Sequence, residues 1–338
     1  MLRTNFLRWF VFLSLLTLGA VPPAIGMDKE VERFDKSFNL TGRPRIVVEN
    51  QDGRTSLKAV EGNQVVVHVI KEVVNVSSDS EAEKLAGKVK VRIEQSGNDI
   101  TVVSDYPKHL FSINIGRSPR VLVHFDITTP EQSDIKVRES DGPLDVSGFD
   151  GNIELHAADG NVTATNCKGT VSITTADGKI DASKLQGQLQ LMVVDGNVTL
   201  ENGSGNLVIH ATDGNARLTG FSGEVEARTV DGKLFIDGLL TALKANSTDG
   251  LMQIRLQPGS EMAKDWSIRS SDGDVELNVP ASFSAELDLQ TADGHIETQL
   301  PIAIVGSVSN DHIQGKMNSG GHVLQIHTSD GDISINGE

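Results

Sequence analysis

Thirteen aspartates in this 338-residue sequence stand immediately before a glycine, where random placement would give about two or three. Seven of these pairs follow one another at a constant interval of 18 residues: Asp141-Gly142, Asp159-Gly160, Asp177-Gly178, Asp195-Gly196, Asp213-Gly214, Asp231-Gly232 and Asp249-Gly250. Carboxylates repeated in this way suggest two kinds of chemistry. Stacked at the strand spacing of roughly 4.8 Å, they could hold calcium together with backbone carbonyls. Paired across a groove, they could serve as acid and base in polysaccharide cleavage. Turn chemistry is the stronger claim, because Asp before Gly accepts a hydrogen bond from the chain just downstream and lets glycine take a positive φ. A glycine-rich calcium β-roll also carries a second Asp in each nonapeptide, and no such string occurs here. The expectation is a structural turn ladder with no resident metal, no other cofactor and no catalytic residue.

Other reactive types give less. The outward positions change from unit to unit, from Asp145, Glu154 and His156 to Thr163, Thr165 and Thr174, then Asp181 and Gln190, Glu201 and His210, and Arg217, Glu226 and Arg228. No fixed pair or triad emerges from them. His312, His322 and His327 cluster near the C-terminus without zinc-ligand spacing, so they are expected on solvated strands. Asn202-Gly203-Ser204-Gly205-Asn206 falls at a repeat corner with no helix pattern after it, which makes it a turn rather than a nucleophile or phosphate loop. The single cysteine, Cys167, shares its repeat position with Phe149, Leu185, Phe221 and Leu239, and packing accounts for it.

The elements that must position these residues follow from the same period. Counting from each Asp, the third and fifth residues are apolar or small (Leu144/Val146, Val162/Ala164, Ile180/Ala182, Val198/Leu200), and so are the twelfth and fourteenth (Ile153/Leu155, Val171/Ile173, Leu189/Leu191, Leu207/Ile209). Alternation with polar neighbours means strands. A second glycine recurs at the tenth position in Gly151, Gly169, Gly187, Gly205 and Gly223, with Thr241 as the exception. Each unit therefore reads as turn, short strand, corner, longer strand. Such a unit cannot be stable alone, but stacking buries a continuous aliphatic column. The fold class is all-β: a parallel β-solenoid, or β-helix-like stack, with 18-residue coils, Asp-Gly turns and an irregular N-terminal β-rich cap.

Residues 1–26 read as a secretory signal peptide, with Arg3 and Arg8 before an apolar run and Ala24-Ile25-Gly26 before a cut at Met27. The remainder carries 28 basic against 46 acidic side chains, a net of −18, which disfavours nucleic acid and anionic membranes. No second spanning segment follows. Residues 27–140 are expected to form a β-rich cap, with strands at 45–50, 65–76, 89–94, 100–104 and 120–127, one short helix at 78–86, and Asp52-Gly53 as an early copy of the turn. Residues 141–298 form the regular stack, with insertions after 255. Residues 299–338 break the repeat and then restore two strands around Asp330-Gly331, which would close the C-terminal face.

The order of motifs resembles a bacterial family of exported β-strand-repeat proteins that carries an adhesin label and has no established function. The matching elements are Phe34-Asp35-Lys36-Ser37-Phe38, then Val48-Glu49-Asn50-Gln51-Asp52-Gly53, then Thr128-Thr129-Pro130 and the Asp-Gly ladder. They close with Gly320-Gly321-His322 and Thr328-Ser329-Asp330-Gly331-Asp332-Ile333. The resemblance covers most of residues 34–338 and implies a fold rather than an activity. Many relatives have Asn where this chain has Asp, so the carboxylate itself is not implied to be required. The resulting expectation is a non-enzymatic exported solenoid, adhesin-like or part of the cell envelope, whose partner is an envelope protein or a surface glycan. A polysaccharide-active lyase or hydrolase, or a glycan-binding β-helix, is the alternative.

Overall fold

The computed structural model describes residues 27–107, 118–300, 302–309 and 311–337, so the signal segment expected at 1–26 lies outside the described residues. Among the described residues, 27 strands join one continuous, mostly parallel sheet that curls around a single aliphatic interior. Long strands stack on one side, from Asp134–Asp141 through Asp150–Asp159, Lys168–Asp177, Gln186–Asp195 and Ser204–Asp213. Short strands stack on the other, from Leu144–Ser147 through Val162–Thr165, Ile180–Ser183 and Val198–Glu201. Partners in this region lie one repeat apart: Val171 opposite Leu189, Asp177 opposite Asp195, Ile180 opposite Val198. The inward columns are as the alternation requires, with Leu144, Val162, Ile180, Val198, Ile153, Val171 and Leu207 all buried.

The interior is fitted coil against coil. Gly203 holds the column position between Leu185 and Phe221, and a methyl there would sit 3.0 Å from the Phe221 ring, so the missing side chain makes room for a fully buried phenylalanine. Leu239 does not continue this column. A register shift between Thr219 and Phe221 sets Phe221 opposite Gly238 and Gly223 opposite Leu240, and a bulge between Gly223 and Glu224 restores the register; Leu240 is the buried residue. That bulge also explains why Thr241 interrupts the row of glycines.

A further column of corners carries positive φ at Gly148, Asn166, Lys184, Asn202 and Gly220. From Gly148 to Asn202 each backbone N–H there donates to the next coil, as Lys184 does to the Glu201 carbonyl at 2.8 Å. Gly and Asn suit this conformation, whereas Lys184, at φ 55°, pays a steric penalty for its Cβ. We predict that Lys184→Asn raises stability by about 0.5–1 kcal/mol. Urea unfolding showing no gain would mean that the corner tolerates lysine without strain.

Residues 45–60 enter the stack as expected, but not at its tip. Strand Arg45–Asp52 pairs in parallel with both Asp99–Asp105 and Asp134–Asp141, and Thr55–Val60 with both Arg120–Pro130 and Leu144–Ser147. The coil outside it is covered by antiparallel strands: Lys90–Ser96 on one side, and Gln64–Val76 followed by Met27–Asn39 on the other. The short helix forms at Asp79–Ala86, capped by Ser78, whose side chain accepts from the Glu81 N–H.

The other end differs from the expectation. Strand Val323–Thr328 lies between Trp266–Asp272 and Ala285–Thr291, and Ile333–Gly337 lies between Val275–Val279 and Ile296–Thr298. The last coil of the sequence is thus intercalated one place in from the tip rather than closing it. The tip is the 285–298 coil, covered on its long-strand side by His312–Met317 and then Ile302–Val308, both antiparallel. The physical reason is room: residues 302–317 turn back as a hairpin over Ala285–Thr291, and the chain then returns beneath that strand.

Candidate functional site

The Asp-Gly pairs come together as one file along a corner of the stack. From Gly53 to Gly232 each glycine N–H donates to the aspartate carbonyl of the next coil, at 3.1 Å from Gly178 to Asp195 and 2.8 Å from Gly196 to Asp213. The spatial order of glycines runs Gly53, Gly142, Gly160, Gly178, Gly196, Gly214, Gly232, Gly250, Gly273, Gly331, Gly294, each packed on the carbonyl of the one before. The residue two places after Asp extends the pattern, since the Asn197 side-chain oxygen accepts from the Asn215 N–H at 2.9 Å and Asn215 does the same for Lys233.

The carboxylates themselves point outward. Asp141, Asp159, Asp177, Asp195, Asp213, Asp231 and Asp249 are all exposed. At the N-terminal end Arg120 binds Asp52 at 2.9 Å and Asp141 at 2.7 Å, neutralising the start of the file. In its middle, crowding by neighbouring residues together with the charges of Asp177 and Asp213 holds the Asp195 carboxyl above its usual range. A carboxyl shifted upward on folding contributes stability that is lost as pH rises through its folded value. We therefore predict that Asp195→Asn melts no lower than the parent at pH 7, and that the difference vanishes in acid. A lower melting temperature at pH 7 would show that the carboxylate does more than form a turn. Among the described residues no group of three or more His, Cys, Asp or Glu side chains is placed to hold a metal ion.

Surface carboxylates on the long-strand face are engaged by bases. Glu154 accepts from Lys136 at 2.7 Å, and Glu226 from Lys244 and Arg228 at 3.0 Å each. These contacts hold both carboxyls below the ordinary range, the opposite of what a general acid in glycoside cleavage needs. Arg217 lies over the Phe235 ring at 4.4 Å. The acid that is raised, Glu139, is inside: 2% exposed and pushed up to about 8, chiefly by burial. It faces the core and cannot meet a polymer outside. Nothing in the spacing marked Glu139, although it stands two residues before Asp141 at a position that holds Ala157, Thr175 and Val193 in the next coils.

Of the three histidines expected on solvated strands, two converge. His312 Nε2 lies 3.3 Å and His327 Nε2 3.7 Å from the Asp288 carboxylate, brought together by Ala285–Thr291 lying between His312–Met317 and Val323–Thr328. Burial raises the Asp288 carboxyl, but hydrogen bonds from Gln314 and His312 and the nearby imidazoles outweigh it and hold it low. His322 pairs separately with Asp265 at 3.3 Å. Cys167 is buried, with its thiol pushed up by burial, so it is a poor nucleophile.

A concavity lies on the long-strand face. It has a volume of about 550 Å³, within the range of small-molecule sites. Its floor is the outward side of the strands from Lys168–Asp177 to Leu234–Asp249, presenting Thr170, Ser172, Gln188, Gln190 and Asn206 before a charged end at Glu224, Glu226 and Lys244. A glycine stands at the tenth-position corner in four of the five strands, Gly169, Gly187, Gly205 and Gly223. Gly187, for example, has φ 120°, and a Cβ there would overlap the Gly169 carbonyl. The insertion expected after 255 supplies an end wall, where Lys264 Nζ is 2.6 Å from Glu224.

Residues 44–336 match the model of the Toastrack DUF4097 family. Solved structures of low identity also align along most of the chain. One from Parabacteroides merdae, provisionally described as an adhesin, is 11% identical, with 90% of this chain and 96% of that one covered and a TM-score of 0.35. A similarly described adhesin from Bacteroides fragilis is 12% identical, with 90% and 97% covered and a TM-score of 0.28. A provisional cell adhesion protein from Clostridium sporogenes is 10% identical, with 92% and 100% covered and a TM-score of 0.25. A comparison with curated proteins returns no match.

Proposed function

The chain belongs to the Toastrack DUF4097 family, and from that footing we propose that it is an exported, non-enzymatic β-solenoid that offers its outer faces to a partner in the cell envelope or on the cell surface. The 18-residue coil with its Asp-Gly corner is the structural unit of that reading. Residues 27–140 cap one end, 141–298 form the regular stack, and 299–338 complete the other. The observation that carries the proposal is how the backbone is used. Coil-to-coil bonds consume the main-chain donors and acceptors along the ladder, so the outer faces present side chains alone, repeated in register, which makes a binding surface rather than a reaction centre. The low carboxyls of Glu154 and Glu226 and the burial of Glu139 argue against the polysaccharide-cleaving alternative.

Export rests on the signal segment at 1–26, with cleavage after Gly26. Among the described residues no helix is long and apolar enough to cross a membrane. The partner is an envelope protein or a surface glycan; nucleic acid is disfavoured by the charge of −18 outside the signal segment. The test is to tag the protein in its native cell, expose intact cells to protease and fractionate the envelope. Cleavage on intact cells is the result expected of an adhesin, and protection until the envelope is opened points to a periplasmic role. Recovery in the cytoplasm would overturn the proposal.

A further inference from the structure

We infer that the groove on the long-strand face binds a neutral, hydroxyl-rich linear polysaccharide laid along the axis of the stack; this rests on the reading of the chain as an exported binding surface. The groove crosses five parallel strands, so its repeating groups form a track roughly 20 Å long at roughly 4.8 Å per strand. Such a track runs across the strands, not beside one. An extended peptide gains its affinity by adding to a sheet edge, and these strands are interior, each paired on both sides. What remains on offer is side-chain chemistry. Thr170, Ser172, Gln188, Gln190 and Asn206 are hydroxyls and amides, which donate and accept at once, as sugar hydroxyls do. Their present contacts are weak: the Asn206 amide reaches Gln188 at 3.4 Å, and Gln190 reaches only the Met192 sulfur. These groups can therefore be redirected to a ligand at small cost.

Charge selects among polymers. The stretch from Thr170 to Asn206 carries no ionised lining residue, and the carboxylates that follow, Glu224 and Glu226, are paired with Lys264 and Lys244. Among the described residues the groove thus offers an anion no free cation, while the protein around it carries a net −18 outside the signal segment. That overall charge repels a uronic-acid chain; a neutral glycan is not repelled. Among the described residues the lining holds no aromatic ring, so affinity accumulates from many weak bonds along a regular polymer rather than from stacking on one sugar.

The experiment is affinity electrophoresis of the chain lacking residues 1–26 through gels containing soluble neutral glucan, xylan or mannan, with polygalacturonate as the anionic comparison. The expected result is retardation by at least one neutral polymer, insensitive to salt. Q188A/Q190A should weaken it by about tenfold, equivalent to about 1.4 kcal/mol, and the glutamine pair is exposed, so the melting temperature should not move. Absence of retardation by every neutral polymer, equal retardation of the variant, or salt-screened retardation confined to polygalacturonate would overturn the inference. Each of these leaves the export proposal standing, because that is decided by the protease and fractionation experiment.

Discussion

Gly196→Ala is expected to remove more than about 4 kcal/mol of stability, the range reserved for substitutions with a specific structural fault. Gly196 sits in the middle of the file with φ 147°, a conformation that side chains rarely adopt, and a Cβ built there overlaps the carbonyl of Gly178. That carbonyl belongs to the backbone of the preceding coil and cannot move without parting two coils. In a stack where each unit contacts only its neighbours, one parted interface divides the molecule into two shorter ones. The adjacent Asp195→Ala should be mild by comparison, because the carboxylate is exposed and the bond that matters is made by its carbonyl. Urea unfolding and limited proteolysis check the pair. Gly196→Ala should lower the midpoint steeply and open a cleavage site near the substitution. Equal effects of the two substitutions would refute the account of the ladder.

Glu139→Gln is expected to flatten the pH dependence of stability. The Glu139 side chain lies between Asn50 of one coil and Ala157 of the next. One of its oxygens accepts from the Thr55 hydroxyl at 2.5 Å, and the other has no hydrogen-bond partner. Burial, opposed chiefly by the Thr55 hydrogen bond and reinforced by Asp52 and Asp141, pushes the carboxyl up to about 8 from an unfolded value of 4.5. The folded protein thus holds a proton that the unfolded chain releases. The associated stability is full below the unfolded value and is lost as pH rises through about 8. At roughly 1.4 kcal/mol per unit, the slope can remove up to about 4–5 kcal/mol across that window. Glutamine removes the slope. The variant should be about 1 kcal/mol less stable near pH 5, where its amide lacks a partner, and several kcal/mol more stable near pH 9. Parallel stability profiles for parent and variant from pH 5 to pH 9 would sink the prediction.

What could be read from the sequence was whatever repeats. The inward pairs such as Val171/Ile173 and Leu189/Leu191 announce strands because their alternation recurs unit after unit, and they are buried where the period puts them. What could not be read was whatever happens once. Strand Met27–Asn39 escaped notice because the apolar residues that follow Met27, namely Val31, Phe34 and Phe38, are not spaced by two; two bulges in its pairing with Gln64–Val76 absorb the mismatch. The left-handed corner at Lys184 was hidden because lysine carries no turn signal, and only Asn166 and Asn202 on either side give it away. The pairing of His312 and His327 on Asp288 depends on a strand returning from the far side of a hairpin, which local pattern cannot foresee. The groove was not legible, since the glycines of the tenth position read only as corners and Thr170, Gln188 and Asn206 look like any solvated face until the strands are stacked.

The intercalation of the 45–60 and 323–337 coils one place in from either tip has a mechanical consequence. A rod wound in simple sequence order would peel from its ends, one coil at a time, each coil leaving with little resistance. Here a pull on the C-terminus loads a coil wedged between two others, so separation must break two ladders together and drag the covering hairpin with it. The same wedge acts during assembly. The 45–60 strands can be clasped on both sides only after residues 99–141 have emerged, and the 285–298 coil must hold a place for a partner synthesised later. Folding thus finishes at both tips late and locks as it finishes, which gives the folded molecule kinetic as well as thermodynamic resistance to opening.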